Sequence, residues 1–362
     1  MQTKTRLPEN KGHHKSSQTR ISLPIWWRAF RYHFVPSSFL PAILGGVVAW
    51  TQTGNIYRWF FFLVVLGVTL NHIALNMTDD YFDYRASVDQ KNKKVINPYA
   101  GGSGTLTSGE IKPSDMRFVF TSLYLLTIII GLYLCVARTW WVLAFGLFGM
   151  ASSYFYTAPP VRYGYRGVGE ISQLVNFSFT IGLGAYVVQT LSLSWEAFWV
   201  LSPLGLMMFA MIVINEIPDR KDDAAVGKNN LVVLQGEKKA VWLYAAAMIA
   251  AYLVILSAPV FGVASIWIYL AFFTLPWSLR AFGILKRNFS DPLRLAPANL
   301  FTIRAHNLTG ILLIIAYLIQ GIHNNHDLQT AIFAVLILSV FYIPAAAVFF
   351  KKTRQKLKTR NP

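Results

Sequence analysis

The chain of 362 residues has one cysteine, Cys135. A disulfide framework needs pairs and a Cys-rich metal site needs several thiolates, so both are excluded. Cys135 lies in an apolar run and reads as a packing residue. Charge is scarce as well: Asp, Glu, Lys and Arg make up 14% of the chain, against about a quarter in a soluble domain. Acids are scarcer than bases, 16 against 33, which leaves a net charge of +17. The segment 1–20 is polar and basic and contains no apolar core, so no secretory signal is expected from it, whereas a transit peptide stays open. No Gly-Lys-Ser/Thr follows the run Gly101-Gly102-Ser103-Gly104, so the chain has no P-loop there.

Apolar residues fill the gap. They form 54% of the chain, aromatics 15%, and the mean hydropathy is +0.43. The apolar runs recur, each long enough to cross a hydrocarbon core, and this composition predicts an all-α, polytopic membrane bundle. Spans are expected near 36–52, 58–78, 117–136, 140–157, 170–190, 197–216, 240–257, 263–280, 303–320 and 328–350. Almost all Lys and Arg fall in alternate segments, and the opposite connections hold only Arg58 and Arg138. That bias predicts ten spans, with both termini in the cytoplasm. Membrane topology therefore accounts for the net charge, with the lipid bilayer and not nucleic acid as partner. The tail 1–22 reads as a disordered basic segment drawn to the lipid surface. Leu23 to Phe34, rich in Trp, Phe and Arg, reads as an interfacial helix.

Two acidic clusters stand out against this background. In NHIALNMTDDYFDYRASVD, Asp79 and Asp83 are i,i+4 and Asp80 and Asp83 are i,i+3, so a continuing helix puts all three on one face. In INEIPDRKDD, Asp219 and Asp223 are again i,i+4. Carboxylates this close repel one another unless a cation joins them, and hard oxygen ligands suit Mg²⁺ holding a phosphate. Each cluster ends the second of four successive spans, so Asp79 and Asp219 hold matching places in two halves of the chain.

Other polar groups gather near these ends. Asn76 is placed to orient Asp79 or Asp80, and Asn215 and Glu216 precede the second cluster. Arg31 is either a phosphate ligand or an interface anchor, and Lys94, Arg162 and Lys228 are either phosphate ligands or positive charge set by topology. The glycine run offers backbone N–H groups to a phosphate, as a weak signal. The residues 84–116 form a long polar connection of the kind that often serves as a lid. Tyr154, Tyr156 and Tyr163 are either ordinary interfacial tyrosines or walls that shield a cation by π contact.

Facing carboxylates at the mouth of an apolar bundle suit a diphosphate on an apolar tail. Mg²⁺ would hold the head, and the bundle would take the tail at up to ~0.8 kcal/mol per buried CH₂. A polyprenyl diphosphate meets both demands. NMTDDYFDYRASVD, GGSGTL, YTAPPVRYGYRGVGE and NEIPDRKDDAAVGKNNLVV together resemble the UbiA-type intramembrane prenyltransferases, and most closely the 1,4-dihydroxy-2-naphthoate branch of menaquinone synthesis. The likeness runs from about Arg31 to Asn307. It implies a nine-helix bundle, Mg²⁺ as cofactor, and transfer of a polyprenyl group to an aromatic acceptor at a bacterial inner membrane. Family roles as catalytic metal ligands fall on Asp79, Asp80, Asp83, Asp219 and Asp223. Substrate-binding roles are expected for Asn76, Arg31, Lys94, Arg162, Lys228, Tyr156 and Asn215.

Three departures bear on the acceptor and the architecture. Asp79 replaces the family's usual Asn, Gly104 stands where the menaquinone branch often has Arg, and a tenth span follows the ninth. The division expected is a basic tail (1–22), a prenyltransferase unit (23–322), an added span (323–350) and a second basic tail (351–362). An ion-coupled transporter, a CDP-alcohol phosphotransferase and a lipid-phosphate phosphatase are the competing readings. The last two lack their signatures here, and the clustered acids sit at span ends and not at mid-bilayer.

Overall fold

The computed structural model describes residues 22–86, 99 and 101–360, with side chains as far as residue 347. Lys94, the basic run around it and the segment 1–21 lie outside the described residues. Among the described residues all regular structure is helical. A short helix α1 (Leu23–Ala29) precedes α2 (Pro36–Thr53), α3 (Arg58–Arg85), α4 (Pro113–Ala137) and α5 (Trp141–Phe155). Next come α6 (Gly169–Thr190), π-wound over Asn176–Leu183, and α7 (Trp195–Glu216). Two short helices, α8 (Arg220–Ala225) and α9 (Leu231–Gln235), lead into α10 (Glu237–Val260). The chain ends with α11 (Ile266–Asn288), α12 (Pro292–His323) and α13 (Leu328–Arg360).

Among the described residues, nine helices are long and apolar enough to cross a membrane, so this is an integral membrane protein. The tenth apolar helix, α5, has 15 residues. At 1.5 Å per residue it reaches about 22 Å, less than the ~30 Å of a hydrocarbon core. The polytopic bundle expected from the sequence is present, with one span shorter than anticipated.

Local chemistry sets the ends. α12 starts at Pro292 and not near 303, because the Asp291 carboxylate accepts the Leu293 and Arg294 N–H groups and Pro292 occupies the first turn. α3 runs on to Arg85, which carries Asp79, Asp80 and Asp83 on its last turns. α11 begins as a 3₁₀ helix over Ile266–Thr274, capped by Ser265.

The core is built on α2, of whose span 94% is buried, against 22% for α4. α2 packs on α3, α6, α7, α12 and α13. α4 lies at the periphery and turns Phe118, Leu125, Ile129 and Leu132 outward, where lipid replaces protein as solvent. Small residues let the inner helices approach closely. A Cβ on Gly45 of α2 would strike the carbonyl oxygen of Gly182 in α6, and backbone cannot swing away. Gly45→Ala should therefore destabilise the fold by roughly 1–3 kcal/mol. An unchanged thermal midpoint in detergent would remove this contact from the account.

Candidate active site

The C-terminal ends of α3 and α7 converge on one cavity of about 1090 Å³, its open mouth included. Of the residues singled out in the sequence, Arg31, Asn76, Asp79, Asp80, Asp83, Tyr156, Asn215, Asp219, Asp223 and Lys228 line it. The floor is apolar, with Leu75, Phe177, Met208 and Met211.

Lys228 joins the two clusters. Its Nζ lies 3.8 Å from Asp83 Oδ2 and 3.7 Å from Asp223 Oδ1. Burial works against the ammonium, but the Asp83 and Asp223 carboxylates outweigh it and hold the Lys228 pKa well above the usual lysine range. Arg31 reaches in from the end of α1, with Nη1 3.6 Å from Asp80 Oδ1. It does so in the left-handed conformation, φ 48°, which costs of order 1 kcal/mol for a side chain with a Cβ. Its Nε is buried without a hydrogen-bond partner.

Four of the acids also accept hydrogen bonds from the connections between helices. Thr157 donates to Asp79 at 3.0 Å, the Ser103 N–H to Asp80 at 3.0 Å, and the Tyr165 hydroxyl to Asp83 at 2.6 Å. Asn230 donates to Asp223 at 2.8 Å. Asp219 makes no side-chain hydrogen bond or ion pair among the described residues. Burial, reinforced by neighbouring Asp223, pushes its pKa up to about 7. Burial raises Asp223 too, against the pull of Lys228.

The donor set suits a hard cation. Six carboxyl groups (Asp79, Asp80, Asp83, Glu216, Asp219, Asp223) face two cations, Arg31 and Lys228, across the cavity. The Glu216 Oε2 is buried with no hydrogen-bond partner. Among the described residues, no three of His, Cys, Asp and Glu form a ready-made metal cage. Mg²⁺ is usually held by one or two carboxylates plus water and substrate phosphate, so the dispersed arrangement fits that ion better than a closed protein site would.

Some expectations meet a different geometry. Among the described residues Asn76 makes no hydrogen bond to a carboxylate; its amide donates to the Phe30 carbonyl at 3.0 Å and fastens α3 to the end of α1. The Asn215 Oδ1 is taken by Asn299 at 2.7 Å. Arg162 does not line the cavity, and its guanidinium lies 5.7 Å from the Tyr165 ring centroid. Of the glycine run, Gly101 and Gly102 line the cavity, while the Ser103 N–H is occupied by Asp80. Tyr154 lines a separate outer groove. Tyr163 packs edge-on against Tyr156 at 5.5 Å, where burial pushes its phenol up to about 12.

Tyr165, Thr157 and Asn230 escaped the sequence reading. Their signal is long-range: the Asn229 N–H donates to the Tyr165 carbonyl at 3.0 Å and ties the connection before α6 to the one before α9. With the Leu231 N–H donating to Glu170 at 2.6 Å and Lys228 5.5 Å from the Tyr165 ring centroid, that pairing helps hold Tyr165 over Asp83.

Fold and cavity define a membrane-spanning helical bundle with an acid-rimmed cavity above an apolar floor. The model of the UbiA prenyltransferase family matches residues 38–302, and the chain belongs to that family of enzymes. It is 27% identical over 312 residues to the 1,4-dihydroxy-2-naphthoate octaprenyltransferase of Bacillus subtilis (strain 168), covering 86% of this chain and 98% of that protein. It is 24% identical to the 2-carboxy-1,4-naphthoquinone phytyltransferase of Synechocystis sp., over 81% of this chain and 92% of the relative. Among solved structures, a UbiA homolog from Archaeoglobus fulgidus bound to DMAPP and Mg²⁺ shares the fold, with TM-score 0.56 and 16% identity over 80% of this chain and 99% of that one.

Proposed function

We propose that this prenyltransferase moves a polyprenyl group from its diphosphate to 1,4-dihydroxy-2-naphthoate, in menaquinone synthesis, with Mg²⁺ as cofactor. The observation that carries the head-group assignment is the meeting of both acidic clusters in one cavity, bridged by Lys228. The acceptor rests on the relatives, both of those described above being named for naphthoate or naphthoquinone substrates.

Asp79, Asp80, Asp83, Asp219 and Asp223 are the residues that would hold Mg²⁺, with Glu216 as a further oxygen. The ion, when bound, would supply positive charge that stabilises the departing diphosphate. Lys228 and Arg31 bind diphosphate oxygens and add to that charge. Leu75, Met208 and Met211 hold the tail and exclude water, which would otherwise quench an allylic cation to an alcohol. Tyr156 and Phe177 line the same cavity, where π contact would favour a cation. Residues 23–322 form the transferring unit, with 323–350 as an added span. The acids and both basic tails face the cytoplasm of a bacterial plasma membrane, in keeping with the Lys and Arg bias.

The test is transfer from labelled polyprenyl diphosphate by the purified chain, with 1,4-dihydroxy-2-naphthoate, 4-hydroxybenzoate, homogentisate or a glycerol phosphate offered singly. The naphthoate should give the major product, lost with EDTA. A product with another acceptor and none with naphthoate would refute the acceptor assignment and leave the head site standing.

A further inference from the structure

A second groove runs down the outer face of the bundle between α3, α4 and α5, enclosing about 1020 Å³ with its open sides included. It shares no lining residue with the acid-rimmed cavity, and α3 stands between the two. A ligand here is out of reach of the chemistry.

The groove is graded by chemistry. At one end stand Arg85, in the last turn of α3, and Arg117, in the first turns of α4, both exposed. Neither forms an ion pair among the described residues. The Arg85 guanidinium lies 5.9 Å from the Tyr81 ring centroid. Aromatic walls follow, from Tyr81, Phe120 and Tyr154, and then aliphatic ones, from Leu125 and Ile128. From Arg117 to Ile128 is about 16 Å along the helix. Cation, aromatic, aliphatic is also the order met on passing from the lipid head groups into the hydrocarbon.

We propose that this groove binds an anionic phospholipid, its phosphate held by Arg85 and Arg117 and an acyl chain laid along Leu125 and Ile128. The occupant follows from charge and place. Two guanidinium groups without acidic partners among the described residues attract an anion, and the groove opens beside α4, the least buried of the long spans, where the surrounding solvent is lipid. The site also touches the acid-bearing helix. Tyr124 in the groove wall hydrogen-bonds Ser153 at 2.9 Å and Thr78 at 3.4 Å, and Thr78 precedes Asp79. A lipid seated there would brace α3 against α4 and α5.

The proposal stands apart from the acceptor assignment, because its readout is binding and needs no transfer. The delipidated full chain is titrated in detergent with phosphatidylglycerol or phosphatidylcholine of matched chains, and bound lipids are counted by native mass spectrometry. At roughly fivefold per arginine, the first equivalent should favour phosphatidylglycerol by about 25-fold. Arg85→Gln with Arg117→Gln should remove most of that preference, and Arg85→Lys with Arg117→Lys should keep much of it. Lys238→Gln with Lys239→Gln, a charge loss elsewhere, should leave it unchanged. Equal affinity in the wild type, or a preference that survives the double Gln change, would overturn the proposal. So would displacement of the lipid by soluble glycerol 3-phosphate, which would mark a free-phosphate site.

Discussion

Asp83→Asn and Asp219→Asn should each lower prenyl transfer by at least about 10³-fold, with chains that still insert and purify as the wild type does. The amide keeps the size of the side chain and removes the charge. Asp83 is tied to Lys228 and Tyr165, whereas Asp219 is unpaired among the described residues. The two variants thus probe one site from opposite sides. Loss at Asp83 alone would be compatible with disturbed packing. Loss at Asp219 has no such explanation, because no hydrogen bond among the described residues is broken there. Initial rates with saturating Mg²⁺ check the prediction, and turnover within tenfold of wild type in either variant would contradict it.

Lys228→Met should produce the other large effect, on stability as well as on activity. Among the described residues the ammonium is the only cation between Asp83 and Asp223, with side chains 15%, 17% and 4% exposed respectively. Removing one partner of a buried charge cluster leaves its acids uncompensated, at about 3–5 kcal/mol. Mg²⁺ binds the same carboxylates and should restore part of the loss. The expected result is a lowered thermal midpoint that millimolar Mg²⁺ raises by more than it raises the wild type. A midpoint like that of the wild type without Mg²⁺ would show that Lys228 does not offset the charge.

The fold is largely legible in the sequence, because apolar runs and the Lys/Arg bias are properties of single segments. The two acid clusters are legible too, since i,i+4 spacing on a helix end is local. What stays hidden depends on distant chain segments. Asn76 turns to the Phe30 carbonyl, 46 residues away in the chain, and not to Asp79 or Asp80. Tyr165 reaches Asp83 from a loop tied to the distant Asn229, a pairing no local pattern announces. The Ser103 N–H, expected to meet a phosphate, meets Asp80. Hydropathy suggests a span near 140–157, whereas the helix covers Trp141–Phe155, 15 residues.

The central claim is that two motifs far apart in the chain, one around Asp79 and one around Asp219, form one diphosphate site. Mg²⁺-dependent binding of a labelled, non-ionising polyprenyl thiodiphosphate tests it most directly. Wild type should bind one equivalent and lose it to EDTA. Asp80→Asn with Asp83→Asn, and separately Asp219→Asn with Asp223→Asn, should each abolish binding. Full-strength binding retained by either pair would mean that the motifs act separately.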